Sequence, residues 1–306
     1  MSDAPYDVLA LGCTAVDELL YVPAFPRPDS KMQVRRRERQ GGGLSATALV
    51  AAARLGARCA FAGVLGDDAD SAFVADTLRR EGIDLTHTVR RPGARPIHST
   101  IIVDETNHTR TILYDLSGSV GADPERPPAE VLRASRVLFV DHYGIEGMTR
   151  AARLARAAGI PVVADFERSD WPGFDQLLDL VDHLILAEGF AMRLTGTAEA
   201  VAAINRLWRP DRAVVAVTAG DRGCWYRTAD GLSHQPAFRV EVVDSTGCGD
   251  VFHGAYAAAL AWGWPPCERF RWAAAAAALK ATGRGAQAAC PRRDAVERFL
   301  QQRTRA

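Results

Sequence analysis

Two glycines and two aspartates crowd into Asp244-Ser245-Thr246-Gly247-Cys248-Gly249-Asp250. Val242 and Val243 lead into this stretch, and a helix-patterned segment follows to Trp262. Glycine tolerates turns that a Cβ resists and lets the main chain come close to a ligand. A helix that starts here presents unpaired N–H groups and positive partial charge, which together bind an anion without any basic side chain. Asp250 beside such a site would repel a phosphate unless its task is to take a proton. A general base beside an anion-binding turn is what transfer of a phosphoryl group to a hydroxyl needs. The plainer reading makes Asp250 a first-turn acid that complements the helix dipole and Asp244 a turn residue.

The charge balance fits a local device of this kind. The 306 residues hold 37 Lys+Arg against 37 Asp+Glu, so the formal net charge is zero. A general nucleic-acid binder needs a basic surplus, and so does a polybasic membrane-surface protein. Neither partner is expected. Only two of the basic residues are lysine, Lys31 and Lys280, so each stands out. Lys31 begins Lys31-Met32-Gln33-Val34-Arg35-Arg36-Arg37-Glu38-Arg39. On a strand, Lys31, Gln33, Arg35, Arg37 and Arg39 would share one face, either meeting an acidic or phosphorylated substrate or forming a solvated edge.

Other candidate chemistry is weaker. Gly41-x-Gly43-x-x-Ala46 matches a loose dinucleotide fingerprint, but Arg-rich residues precede it and no acid follows at the required distance. His142, His234 and His253 lack metal-ligand spacing and read as packing or hydrogen-bonding groups. Cys248 sits where a helix N-terminus lowers a thiol pKa. The six cysteines show no C-x-x-C pair, which suits a reducing cytoplasm. The Met1 end lacks a basic region before an apolar one, so no secretory signal is expected. No apolar run approaches the roughly 18 residues of a membrane span.

The elements that must position these residues follow from the hydrophobic pattern. Strand-like runs at Asp7–Gly12, Cys59–Leu65, Val137–Val140, Ile160–Ala164, His183–Ala187 and Ala213–Thr218 alternate with helical patterns. Those helices cover Ser45–Leu55, Ser71–Glu81, Gly147–Ala158, Phe174–Val181 and Glu199–Trp208, and the C-terminal third adds Gly247–Trp262, Pro266–Ala281 and Arg292–Arg303. This alternation predicts an α/β fold with a mostly parallel sheet covered on both faces. Two regions, within about 17–40 and 86–115, show period-2 alternation without helices and predict a small antiparallel β lid. A polar turn at Asp104–Thr109 joins two of its strands.

The turn at Asp244–Asp250 resembles the C-terminal signature of the ribokinase/PfkB carbohydrate kinases, Asp-Thr-x-Gly-Ala-Gly-Asp, with Ser245 for the first Thr and Cys248 for Ala. Gln40-Gly41-Gly42-Gly43 with Ala53-Arg54-Leu55-Gly56-Ala57, Phe61–Asp68, Val217–Gly223 and Gly283–Ala286 extend the resemblance from about Asp7 to Leu300. Within the family, the ketohexokinase and sulfofructose kinase branch is the most similar. The resemblance implies one ribokinase-like domain over 1–306 that phosphorylates a sugar hydroxyl with ATP and Mg2+. Asp250 would be the base, and the amides of Gly247, Cys248 and Gly249 would hold the phosphoryl group. Asp17, Gly41, Gly42 and Gly43 would meet the sugar. Thr218, Gly220, Gly223, Gly285 and Ala286 would hold the nucleotide. Asp244 and the Gly283–Ala286 loop fall where members bind a monovalent cation (K+) or the adenine edge. A homodimer through the lids and a cytoplasmic location are further implications.

Three departures bear on these roles. The family's Asn-x-x-Glu falls on Ala187-Glu188-Gly189-Phe190, which leaves magnesium to ATP and water, with Glu188 as its one protein candidate. Ala46 stands where an Asn often contacts the sugar, and Asp-x-Asn-x-Arg is reduced to Asp165-Phe166-Glu167-Arg168. Lys31 matches a lysine that sulfofructose kinases aim at the sulfonate, but the Asn and Arg that share the task fall on Tyr114 and Tyr143. A neutral or acidic ketose is therefore the expected substrate. The alternatives are a sugar-binding regulator of the same fold without catalysis, or a nucleoside kinase.

Overall fold

The computed structural model describes residues 4–107 and 109–304. Part of the Met1 end, and His108 in the lid turn, lie outside the described residues. An eight-stranded sheet forms the centre. Its order from one edge is Gly231–Gln235, Cys224–Thr228, Val214–Thr218, His183–Ala187, Val162–Asp165, Ser135–Val140, Tyr6–Ala10 and Cys59–Phe61. The six strands from Val214–Thr218 onward are mutually parallel, and the first two add an antiparallel hairpin. The sequence reading assigned no strand after Thr218. The hairpin's half-exposed Trp225, Arg227 and Leu232 give it no apolar run to detect.

Strand alternation sorts the core into two halves. Val8, Ala10, Val137, Phe139, Val163 and Ile185 face the helices Leu44–Arg54, Cys248–Ala261 and Pro266–Ala281. Leu9, Leu138, Val140, Val162, Ala164 and Leu184 face Ile145–Ala157 and Ala200–Leu207. Burial on both faces is why these strands read as continuous apolar runs. The eight expected helices agree with the periodicity to within about two residues, and Ala129–Arg133 and Glu188–Thr195 are helices that the periodicity did not predict.

The helix that carries Asp250, Cys248–Ala261, packs closely on Leu44–Arg54. Gly254 makes this possible, since a Cβ there would lie 2.1 Å from the carbonyl oxygen of Ala48. The obstacle is backbone, so it cannot swing away. Gly254→Ala is therefore expected to destabilise the fold by about 1–3 kcal/mol through overpacking, measured as a lower urea midpoint with unchanged slope.

The lid is a four-stranded sheet in the order Arg36–Gly42, Ala15–Val22, Ile97–Asp104, Thr109–Asp115. Three corrections apply. Ala15–Val22 is a central lid strand that begins before the expected lid region, and it runs parallel to Ile97–Asp104. Its burial does not alternate, which hid it from a period-2 search. Val89–Arg90 pairs with Val64–Leu65 instead of joining the lid. Finally, residues 23–35 form a loop, so Lys31 and Gln33 do not share a strand face with Arg37 and Arg39. Pro23, Pro26 and Pro28 lack the N–H groups a strand needs. The arginines around it act as a solvated edge: Arg35 pairs with Glu105, Arg36 with Glu38, and Arg39 with Glu18 and Asp70.

Candidate active site

The C-terminal ends of the parallel strands converge where open α/β sheets bind ligands. Asp141 follows Ser135–Val140, Asp165 closes Val162–Asp165, and Thr218 closes Val214–Thr218. Asp141 ties three segments together by accepting hydrogen bonds from Cys13 N (2.6 Å), Ser45 Oγ (2.8 Å) and Tyr143 N (2.9 Å).

The helix Cys248–Ala261 points its N-terminus into this space. Gly247 precedes it at φ 78°, a left-handed conformation that favours glycine. A Cβ on Gly247 would also lie 2.7 Å from that of Ala286, so the Gly285–Ala286 loop presses on the turn. Gly249 differs, because a Cβ there would meet nothing within 4 Å. Arg110 crosses from the lid strand Thr109–Asp115 and donates to Ser245 Oγ at 3.1 Å. The lid therefore covers the turn with a guanidinium.

Asp250 lies in the first helical turn. Burial pushes its carboxyl well above the usual range, and the charges of Asp165, Glu167, Asp17 and Asp141 push it further. These acids therefore form one electrostatic cluster. Asp165 is raised by burial and then by Glu167 and Asp141. Asp17 and Glu167 are raised mainly by burial. His253 sits beneath the turn. Its Nδ1 faces Gly249 O at 2.8 Å and Asp165 Oδ2 at 3.3 Å, and its Nε2 faces Ile185 O at 2.9 Å. It is a hydrogen-bonding group, as read from the sequence. The Cys248 thiol is raised by burial, contrary to the lowering expected of a helix N-terminus.

The glycines of Gln40–Gly43 have specific neighbours. A Cβ on Gly42 would lie 2.2 Å from Asp17 Oδ2, and one on Gly41 would lie 2.3 Å from Gln287 Oε1. Gly43 caps Leu44–Arg54 at φ 93°. Close packing of Asp17 and Gln287 thus accounts for the first two glycines. Tyr143 packs against His142 with tilted rings at 4.4 Å and meets Trp171 edge-on at 6.2 Å. Arg168 donates to Tyr114 Oη at 3.4 Å. Arg168 also lies 5.9 Å from the Trp171 ring centroid, so Tyr114 connects to Tyr143 through Arg168 and Trp171. Lys31 stays exposed on its loop with no bonded partner among the described residues.

On the far side, Gly220 (φ 59°) and Gly223 (φ 87°) shape the turn after Thr218. A Cβ on Gly223 would lie 2.2 Å from Gln235 O, so the hairpin fixes that turn. Glu188 is ion-paired with Arg222. Asp244 accepts from Thr246 N and Gly285 N, each at 2.8 Å, joining its own turn to the Gly283–Ala286 loop. Gly285 itself (φ 81°) lies against the Gln40 amide.

The family model described as "pfkB family carbohydrate kinase" matches residues 6–293. The chain belongs to the PfkB carbohydrate kinases. A PfkB carbohydrate kinase is a phosphotransferase with an alcohol group as acceptor. A ribokinase of Haemophilus influenzae is 28% identical over 298 residues, covering 95% of this chain and 97% of the relative. A solved structure from Agrobacterium tumefaciens, described as a candidate ribokinase, superposes with TM-score 0.91 at 29% identity, covering 98% of this chain and 99% of that one. A fructokinase with bound ATP from Xylella fastidiosa gives TM-score 0.84 at 25% identity, covering 97% and 99%. These relatives do not single out the ketohexokinase and sulfofructose kinase branch within the PfkB family.

Two features of this candidate site escape the sequence pattern. Arg110 carried no signal in a chain where nearly every basic residue is arginine. By sequence, His142 is a packing or hydrogen-bonding group. It is 1% exposed, and neither ring nitrogen has a hydrogen-bond partner among the described residues. Buried polar groups are normally paired, so the two orphaned nitrogens beside Asp141 and Tyr143 stand out.

Proposed function

We propose that the chain transfers the γ-phosphoryl group of ATP to a hydroxyl of a ketose-like sugar, with Asp250 as general base. The observation that carries this reading is Asp250 in the first turn of a glycine-led helix N-terminus, inside a cluster of carboxyls. Its raised pKa brings it toward the range in which a base can both take and return a proton. The N–H groups of Gly247, Cys248 and Gly249 would face the developing charge on the phosphoryl oxygens, and Arg110 would close over them from the lid. Lid closure would exclude water and suppress ATP hydrolysis.

Asp17 and His142 would hold sugar hydroxyls, with Gly41–Gly43 setting the floor and Tyr114 and Tyr143 the wall. Thr218, Gly220, Gly223, Gly285 and Ala286 would border the nucleotide. Among the described residues no group of three or more His, Cys, Asp or Glu is arranged to hold a metal ion, and the Glu188 carboxylate is engaged by Arg222. The metal would then arrive as part of the Mg–ATP substrate, since magnesium keeps several waters and binds phosphates readily. A homodimer through the lid is supported by Thr109–Asp115, an edge strand whose residues are all exposed, Ile112, Leu113 and Tyr114 included.

The test is a coupled ADP assay over ketohexoses, ribose, aldohexoses, nucleosides and acidic ketoses. The highest kcat/KM is expected on a ketose. A best substrate among aldoses or nucleosides would overturn the ketose assignment, and no sugar-dependent ADP release would favour a regulator of the same fold.

A further inference from the structure

The second lysine bonds the segment that leads into the proposed phosphoryl site. Lys280 occupies the last turn of Pro266–Ala281, and its side chain is 0% exposed. Its Nζ donates to Asp244 O at 2.7 Å and to Gly283 O at 3.4 Å, and it stands 3.8 Å from Asp244 Oδ2. A buried ammonium must be paired and hydrogen-bonded, and this one is held by the two loops that lead into and press on the Gly247–Gly249 turn.

Those loops are where the family resemblance implied a monovalent cation. The residues present do not fit one. The inward oxygens Asp244 O and Gly283 O are taken by the ammonium. Asp244 Oδ1 accepts from Thr246 N and Oδ2 from Gly285 N. A potassium ion placed among the same oxygens would sit against a fixed positive charge and have no hydrogen-bond-free carboxylate oxygen of Asp244 to bind. Electrostatics agree with an occupied cage. Burial alone would raise the Asp244 carboxyl, but the bonds from Thr246 and Gly285 and the Lys280 charge hold it below its usual value. Burial lowers the Lys280 pKa, and Asp244 opposes that.

We propose that the Lys280 ammonium is a built-in monovalent cation, clamping the Asp244 and Gly283–Ala286 loops so that the adjacent turn is set without bound potassium. The residue type fits the task. An ammonium is compact, with three rotatable donors that carbonyls can surround, whereas a guanidinium is a planar fork too large for that role. In a chain that holds 37 Lys+Arg but only two lysines, one of the two occupies this cage. Lys280 is thus a positioning residue that acts through the turn.

The inference extends the proposed role of the turn and rests on it only for the kinetic measurement. Wild-type protein is melted in potassium, sodium and choline chloride at equal ionic strength. Crystals are soaked in thallium(I) as a heavy probe for potassium. No potassium-specific shift beyond about 1 °C is expected, nor thallium density within reach of Asp244 O and Gly283 O. Turnover should change less than about twofold among the salts. Lys280→Ala opens the cage, and the variant should regain melting temperature and kcat in potassium or ammonium chloride but not in choline chloride. A potassium-specific rise of several degrees or about tenfold in wild-type kcat, or thallium at those oxygens, overturns the proposal. So does a folded Lys280→Ala that no cation rescues. If that variant does not fold, the wild-type measurements still decide. The melting and thallium results need no catalysis, so failure of the sugar-kinase reading leaves them interpretable.

Discussion

Asp250→Asn is expected to lower kcat by about 10²–10⁴-fold, the usual contribution of a positioned general base, with little change in KM for the sugar. The same substitution is expected to raise stability at neutral and alkaline pH. Asp17, Asp165, Glu167 and Asp250 all have carboxyls raised above their ordinary values, with burial the first cause in each. A carboxyl raised by folding leaves stability intact below the ordinary carboxylate range near about pH 4. It removes stability as pH climbs through the raised value. This carboxyl cluster should therefore pull the melting temperature down between mildly acidic and alkaline pH. It does so against His142, His183 and His253, whose pKa values burial lowers and which add stability as pH rises through the ordinary histidine range in wild type and variant alike. The carboxyls titrate as a cluster, so removing one member also eases ionisation of the others. The variant's melting temperature should fall less over that range. About 1 kcal/mol corresponds to roughly 2–4 °C in a large domain, so the difference is measurable by calorimetry. Lower activity with higher stability would mark a strained functional site. Lower activity with lower stability would mark Asp250 as a structural cap.

Gly249→Ala separates a ligand-facing glycine from a structural one. Gly247 needs its positive φ and presses on Ala286, so its substitution damages fold and site together. Gly249 lies inside the helix that Gly247 caps, and a Cβ there meets no protein atom within 4 Å. Alanine is preferred over glycine in a helix by about 0.5–1 kcal/mol, so the variant should fold at least as stably as wild type. Its methyl group would project into the space assigned to the phosphoryl oxygens. A fall in kcat of about 10²–10³-fold is expected, comparable to losing an oxyanion donor. Stopped or steady-state kinetics beside a urea melt read both quantities. Full activity in a stable Gly249→Ala protein would move the phosphoryl group away from this turn.

Local signals carried most of what the sequence disclosed. The helix N-terminus at Gly247, the glycines at Gly41–Gly43 and the strands of the parallel sheet are contiguous patterns, and they were legible. The missed features depend on pairing across distance. Arg110 reaches Ser245 only because the lid strand Thr109–Asp115 folds over the turn, 135 residues away in sequence. His142 draws notice only once its environment is known to leave both ring nitrogens without partners. The shortage of lysine was informative, but spacing drew notice to Lys31 and not to Lys280. Lys31 seemed to lie on a charged strand face, and three nearby prolines put it on a loop instead. Lys280 sits in an alanine-rich run that reads as an ordinary helix face. Only the structure shows its ammonium turned inward against Asp244 and Gly283.

Transfer of a phosphoryl group onto a sugar hydroxyl leaves a phosphomonoester that is distinct from ATP, ADP and inorganic phosphate. Phosphorus NMR of the protein with Mg–ATP and the best sugar from the substrate panel tests it most directly. A new phosphomonoester resonance should grow in step with ADP, and it should be absent with Asp250→Asn over the same interval. ATP that stays intact with every sugar, or ADP that appears only with inorganic phosphate, would contradict the account.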